Sequence, residues 1–100
     1  MDKSRITQEE LNEIINKHKE WLNTRYSSYV KGERANLAEV DLHEIDLSCA
    51  DLRAANITRS NMQGINLRNA HLEEATFLDT DLSNANLESA SLNGAKLYFT

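Results

Sequence analysis

Histidine, cysteine and paired carboxylates are the groups of this 100-residue chain best suited to catalysis or metal binding: His18, His43, His71, Cys49, and the neighbouring Glu73 and Glu74. A metal ion needs several ligands converging on one point, and a nucleophile needs a base within hydrogen-bond reach. His71 lies close to Glu73 and Glu74, but side chains two apart on a short extended segment rarely converge on an ion. A solvated polar surface is the better reading. Cys49 is the only cysteine, so no internal disulfide can form, and a reducing, cytoplasmic setting is expected. The sequence contains no Gly-rich phosphate loop, CxxC pair or nucleophile elbow. The expectation is a protein that is not an enzyme and uses no cofactor or metal.

Charge says more. The chain carries a net charge of −5, and residues 1–30 are balanced, so the acidic excess lies in residues 31–100. That balance disfavours nucleic acid as a ligand and suits another protein as partner. No apolar run is long enough for a membrane span, and Met1-Asp2-Lys3-Ser4-Arg5 is no signal peptide.

The acidic region repeats every five residues. Large apolar residues recur at Leu37, Leu42, Leu47, Leu52, Ile57, Met62, Leu67, Leu72, Phe77, Leu82, Leu87, Leu92 and Leu97. Two positions earlier stands a usually small residue, such as Ala35, Ala50, Ala55, Ala70 or Ala75, and between the two stands mostly Asp or Asn. On an α-helix, five-residue steps rotate about 140° and would scatter the leucines around the surface. On a continuous strand they would alternate between faces. The spacing fits a short extended side followed by a corner, with both apolar positions pointing inward. Such a chain is a solenoid, its coils stacked about 4.8 Å apart. Asn, Asp, Ser and Thr must turn the corners, since proline is absent and glycine scarce.

Sorted by twenties, the small positions separate. Ala35, Ala55, Ala75 and Ala95 form one set, Ala50, Ala70 and Ala90 another, while Val40, Ser60, Thr80 and Ile45, Ile65, Ala85 hold the larger residues. Four sides and twenty residues per coil give that segregation, with a little over three coils. The units Ala35-Asn36-Leu37, Ala50-Asp51-Leu52, Ala55-Asn56-Ile57 and Ala85-Asn86-Leu87 resemble the A(D/N)LXX motif of the pentapeptide-repeat family. The resemblance implies a mainly β fold, a right-handed quadrilateral parallel β-helix. It also implies that some members act as DNA-like acidic ligands of DNA gyrase.

Residues 7 to about 24 form the expected helix. Thr7 and Glu10 make a capping box, Ile6 and Leu11 a hydrophobic staple, and Leu11, Ile14, Ile15, His18 and Leu22 an apolar stripe. A lone helix needs its stripe covered and a first coil needs its open end covered, so the helix is read as a cap. His18 then belongs to the buried stripe and Trp21 plugs the coil end. Tyr26, Tyr29 and Val30 are expected to pack under the helix, and Gly32 to bend the chain into the solenoid. The division is 1–30 for cap and connector, 31–100 for the β-helix.

Residues twenty apart should stack, so Glu39, Arg59 and Asp79, Arg53 with Glu73, and Arg68 with Glu88 form charge ladders across coils. Asp41, Glu44, Asp46, Asp51, Glu74 and Asp81 are left without a basic neighbour and make the candidate partner-binding surface. The side with Asp41, Glu44 and Asp81 is expected to have no basic residue at all. Two function classes remain. One is an acidic, DNA-mimic-like inhibitor or protector of a DNA- or RNA-binding enzyme. Family analogy extends it to a gyrase-like topoisomerase or a phage-defence nuclease such as a CRISPR effector. The other is a protein-interaction scaffold without mimicry. Leu92, Leu97, Tyr98 and Phe99 form an apolar terminal coil, for which self-association as a homodimer is expected. Folding of the two aromatics across the coil end, or continuation in a longer chain, would serve equally.

Overall fold

The computed structural model describes residues 4–98. It contains β1 (Ser4–Arg5), α1 (Gln8–Thr24), β2 (Val40–Asp41), β3 (Asn56–Thr58), β4 (Thr76–Leu78) and β5 (Lys96–Tyr98). Residues twenty apart pair throughout, always in parallel. Asn56 stands beside Thr76 and Thr76 beside Lys96, and isolated bridges join Asp41 to Asn61, Asp46 to Asn66 and Asp51 to His71. The bonding runs both ways: Leu52 N–H donates to His71 O at 2.8 Å, and His71 N–H donates to Ala50 O at 2.8 Å. The repeat region is therefore a β-helix-like solenoid, as the five-residue spacing requires.

In most units an Asp or Asn builds the corner that follows it. Its side-chain oxygen accepts the N–H two residues on, as in Ser48 N–H to Asp46 Oδ1 at 2.9 Å and Arg68 N–H to Asn66 Oδ1 at 3.1 Å. The third residue after it then turns into the left-handed region, from Glu39 (φ 56°) through Ala54 (62°) to Ser89 (60°). A backbone bond closes most corners, for example Ala55 N–H to Leu52 O at 3.0 Å. Val40 and Ser60 differ. Their N–H groups turn to the hydroxyls of Ser60 (3.3 Å) and Thr80 (3.4 Å), and the Ser60 hydroxyl donates to Leu37 O. The hydroxyl residues in this column thus answer to hydrogen bonding as well as to side-chain size.

The inward assignments hold in the solenoid's body. Leu37, Leu42, Leu52, Ile57, Met62, Leu67 and Leu72 are fully buried, with Ala55 and Ala75 beside them, and Ile65 stacks near Ile45. Leu82, Leu87 and Leu92 are partly buried, whereas Leu97 is 49% exposed.

The first coil has carbonyls facing away from the second, and α1 with β1 supplies their donors. In the body, Gln63 O, Asn66 O and Glu73 O accept from Glu44, Leu47 and Ala54 N–H groups of the preceding coil. Their first-coil counterparts are His43 O, Asp46 O and Arg53 O. These accept instead from Arg5 (2.8 Å), from Gln8 Nε2 (3.2 Å) and from His18 Nε2 (2.8 Å). β1 pairs with β2, placing Ser4 beside Val40 and Arg5 beside Asp41. The helix starts at its capping box as expected, and buries Leu11, Ile15 and His18 on the coil.

Tyr26, Tyr29 and Val30 do not pack under the helix. They are 89%, 82% and 56% exposed, because Leu11, Ile15 and His18 already fill that space. Gly32 (φ 74°) does make the bend, and only glycine fits: a Cβ there would lie 2.1 Å from Lys17 O.

His18 is fixed in one neutral tautomer. Its Nδ1 accepts Ala35 N–H at 2.8 Å, so the proton sits on Nε2, which donates to Arg53 O. Burial is the main force pushing its pKa below 6.5; Arg34 and Arg25 add to it, while the bond to Arg53 and the Asp51 charge oppose it. A depressed histidine pKa gives stability that is complete above the ordinary value and lost as pH falls through the folded one. Urea-unfolding midpoints should therefore drop below about pH 6.5. His18→Leu should be less stable at neutral pH and flatter in this window; parallel profiles for the two proteins would contradict the assignment.

Candidate partner-binding surface

The six acidic candidates divide into turn-builders and free carboxylates. Asp41, Asp46, Asp51 and Asp81 all occupy the Asp/Asn position of the repeat, and each accepts the N–H two residues on, from His43, Ser48, Arg53 and Ser83. Each is held below the ordinary carboxylate pKa. For Asp41 the leading cause is the bond from His43, for Asp46 the backbone N–H of Ser48, for Asp51 the Arg53 guanidinium, and for Asp81 the Ser83 hydroxyl. All four stay ionised at neutral pH. Glu44 (φ 60°) and Glu74 (φ 62°) are instead corner residues, lying against the bare Gly64 and Gly94 of the next coil. No ion pair reaches either of them among the described residues.

Neighbours correct the charge count. The side bearing Asp41, Glu44 and Asp81 does acquire a base: Arg5 Nη1 comes within 3.6 Å of Asp41 Oδ1, and His43 Nδ1 lies 2.7 Å from the same oxygen. Asp51 is not unpaired either. It binds Arg53 through both oxygens at 2.8 Å, so Arg53 turns along its own side rather than across to Glu73. A two-residue reach on one side is shorter than a reach across coils, and it allows bidentate geometry. Arg68 reaches Glu88 at 3.6 Å as expected, and Arg59 reaches Glu39 at 3.4 Å, but no ion pair carries that ladder on to Asp79 among the described residues. Of the six, Glu44, Asp46, Glu74 and Asp81 have no ion-pair partner among the described residues, and Asp41 is shared between Arg5 and His43.

Sequence reasoning missed Arg5. A two-residue strand carries no periodicity, and nothing in Ser4-Arg5 alone signals that β1 returns to the first coil.

The other candidates are placed as follows. Leu92 is half-buried, Leu97 and Tyr98 are exposed, and Phe99 lies outside the described residues. Cys49 is an exposed free thiol. It borders a cleft of about 350 Å³ between α1 and the first coil, lined also by Asn12, Asn16, Lys19 and Ser48. Among the described residues no group of His, Cys, Asp and Glu is arranged to hold a metal ion, and no helix is long and apolar enough to cross a membrane.

Comparison with known proteins places the repeats. The family model for pentapeptide repeats matches residues 35–73 and 65–98, with eight copies. A solved pentapeptide repeat protein from the cyanobacterium Cyanothece 51142 is similar at 27% identity, with a TM-score of 0.50. That match covers 64% of this chain and 57% of the other, so the chain spans little more than half of that protein's length. A pentapeptide repeat protein from Nostoc Pcc 7120 is 20% identical over 98% of this chain and 89% of its own, with a TM-score of 0.29. No curated protein matches in sequence.

The double duty of the aspartates is testable at Asp81. Asp81→Asn keeps an oxygen for Ser83 N–H and should melt with the parent. Asp81→Ala removes it and should melt a few degrees lower. Equal melting of all three proteins by circular dichroism would show that the side chain does not build the corner.

Proposed function

Because the chain belongs to the pentapeptide-repeat family, a rigid wall of side chains rather than a cleft is its natural working surface, and we propose that it is a non-catalytic protein-binding scaffold. Its contact is the side carrying Asp41, Glu44 and Asp81, with Asp46 on the flanking side, while Asp51 and Glu74 belong to the side half a coil away. The observation that carries this reading is that, beyond Arg5 and His43 at Asp41, no base pairs with this side among the described residues. Glu39 and Glu88 are met by arginines of neighbouring coils, whereas Glu44 has no ion-pair partner among the described residues and Asp81 is bonded only by Ser83 and Gln63. A partner that complements this side is basic. The reading takes the solenoid as right-handed, four-sided and about three coils long, in keeping with the twenty-residue pairing.

A second reading rests on the shape of the same side. Asp41 and Asp81 flank Asn61 in one column, so negative charge recurs along the solenoid axis on a stiff support. A groove that accepts a phosphate backbone would accept such a row, which makes a DNA- or RNA-binding enzyme the partner class and inhibition or protection the outcome. Pairing of two chains through Leu92, Leu97 and Tyr98 would lengthen the row. A cytoplasmic location accords with the free thiol.

The test keeps the turns while removing the charge. Asp41→Asn, Glu44→Gln and Asp81→Asn are combined, and proteins captured from the source cells by parent and variant are compared. The parent should capture a basic partner that salt releases steeply, and the variant should lose at least about tenfold in affinity. Release by duplex DNA would support mimicry; release by salt alone would favour the scaffold. Undiminished capture by the triple variant would contradict both.

A further inference from the structure

We propose that the connector between α1 and the first coil is a second contact surface, one that takes an acidic, apolar segment of another protein. It stands apart from the acidic side and does not depend on that side's role. Tyr26, Tyr29 and Val30 are the most exposed large apolar residues described, and all three lie within five residues of chain. Adjacent exposed aromatics on an ordered backbone are what contact surfaces are made of, since they supply area at little entropic cost.

The connector is ordered before any partner arrives. Thr24 Oγ1 accepts Lys31 N–H at 2.8 Å, Ser27 N–H donates to Thr24 O at 2.9 Å, and Tyr29 N–H reaches Ser27 Oγ at 3.3 Å. Glu33 N–H ties the far end to Lys17 O at 3.2 Å, beside the Gly32 bend. Side chains continue the order outward from the core. His18 stacks on Trp21 at 5.6 Å, and Arg25 lies 5.4 Å from the Trp21 ring and 4.8 Å from that of Tyr26. Arg25 Nε is buried without a hydrogen-bond partner, so the guanidinium is held by ring faces. A fixed positive charge thus sits against an exposed tyrosine.

The occupant follows from charge and apolarity together. Residues 25–34 contain Arg25, Lys31 and Arg34 against Glu33 alone, the opposite sign to the repeats. Acidic groups on the partner would complement the cations, and aliphatic or aromatic ones would cover Tyr26, Tyr29 and Val30. Nucleic acid is disfavoured, because the rest of the molecule repels phosphate.

Trp21 is the only tryptophan and lies in the stack, so its emission reports on the site. The probe is a short peptide with Leu and Phe spaced among Glu and Asp, titrated at physiological ionic strength. Saturable change in Trp21 emission is expected, weakened by about tenfold or more in a Tyr26→Ala, Tyr29→Ala variant that unfolds in urea with the parent. The charge-removed Asp41→Asn, Glu44→Gln, Asp81→Asn protein should bind this peptide as the parent does, which separates the two surfaces. No saturable binding, or equal binding by the tyrosine variant, would overturn the proposal. So would equal binding of oligoglutamate, tighter binding of a single-stranded oligonucleotide, or self-association in sedimentation that the tyrosine variant abolishes.

Discussion

The repeat region and its cap depend on backbone pairing between residues twenty apart. No five-residue side could bury its Leu and Ala alone, and the bonds within a side serve only its corner and leave most of its backbone unpaired. Stacking solves both problems at once. Each coil's carbonyls and N–H groups meet those of the next, and the apolar pairs close into a dry column. The cost falls at the end of the stack, where carbonyls of the first coil face no further coil. Arg5, Gln8 and His18 supply donors there, at positions where backbone N–H groups donate in the body. The cap is thus a chemical continuation of the ladder as well as an apolar cover.

The same economy limits what the outer surface can offer a partner. Of the outward acidic residues, those at the Asp/Asn position are committed to corners, with their carboxylates oriented by the next N–H groups. Their charge is still displayed, but its placement is set by the fold. Freedom to vary lies in the two residues after each large apolar one, where Glu44 and Glu74 stand. A binding surface on such a solenoid is a fixed lattice of aspartates and asparagines, decorated by the corner residues. The connector is built differently, on hydrogen bonds and ring stacking, and its opposite charge makes it a surface of another kind.

Much of this was legible in the sequence because the signals repeat. The solenoid, the buried leucines, the twenty-residue register, the capping box and the Gly32 bend all follow from periodicity or from residue-specific backbone chemistry. The Glu39–Arg59 and Arg68–Glu88 ladders follow from register alone. What stayed hidden was local and unrepeated. Arg53 prefers Asp51 to Glu73 because a short bidentate reach outcompetes a longer one, a choice register cannot express. β1 is two residues long, so its Arg5 beside Asp41 could not be foreseen. Tyr26, Tyr29 and Val30 read as core because they are large and apolar, but three helix side chains had already filled the space beneath the cap. His18 was legible as buried, whereas its role as both donor and acceptor depends on where the fold brings Ala35 N–H and Arg53 O.

Nuclear magnetic resonance couplings across hydrogen bonds test the twenty-residue stack most directly. Leu52 N–H should couple to the carbonyl of His71, Ala54 N–H to that of Glu73, and Asn66 N–H to that of Ile45, with slow amide exchange at each. Coupling of these three N–H groups to other carbonyls, or slow exchange confined to α1, would contradict the account.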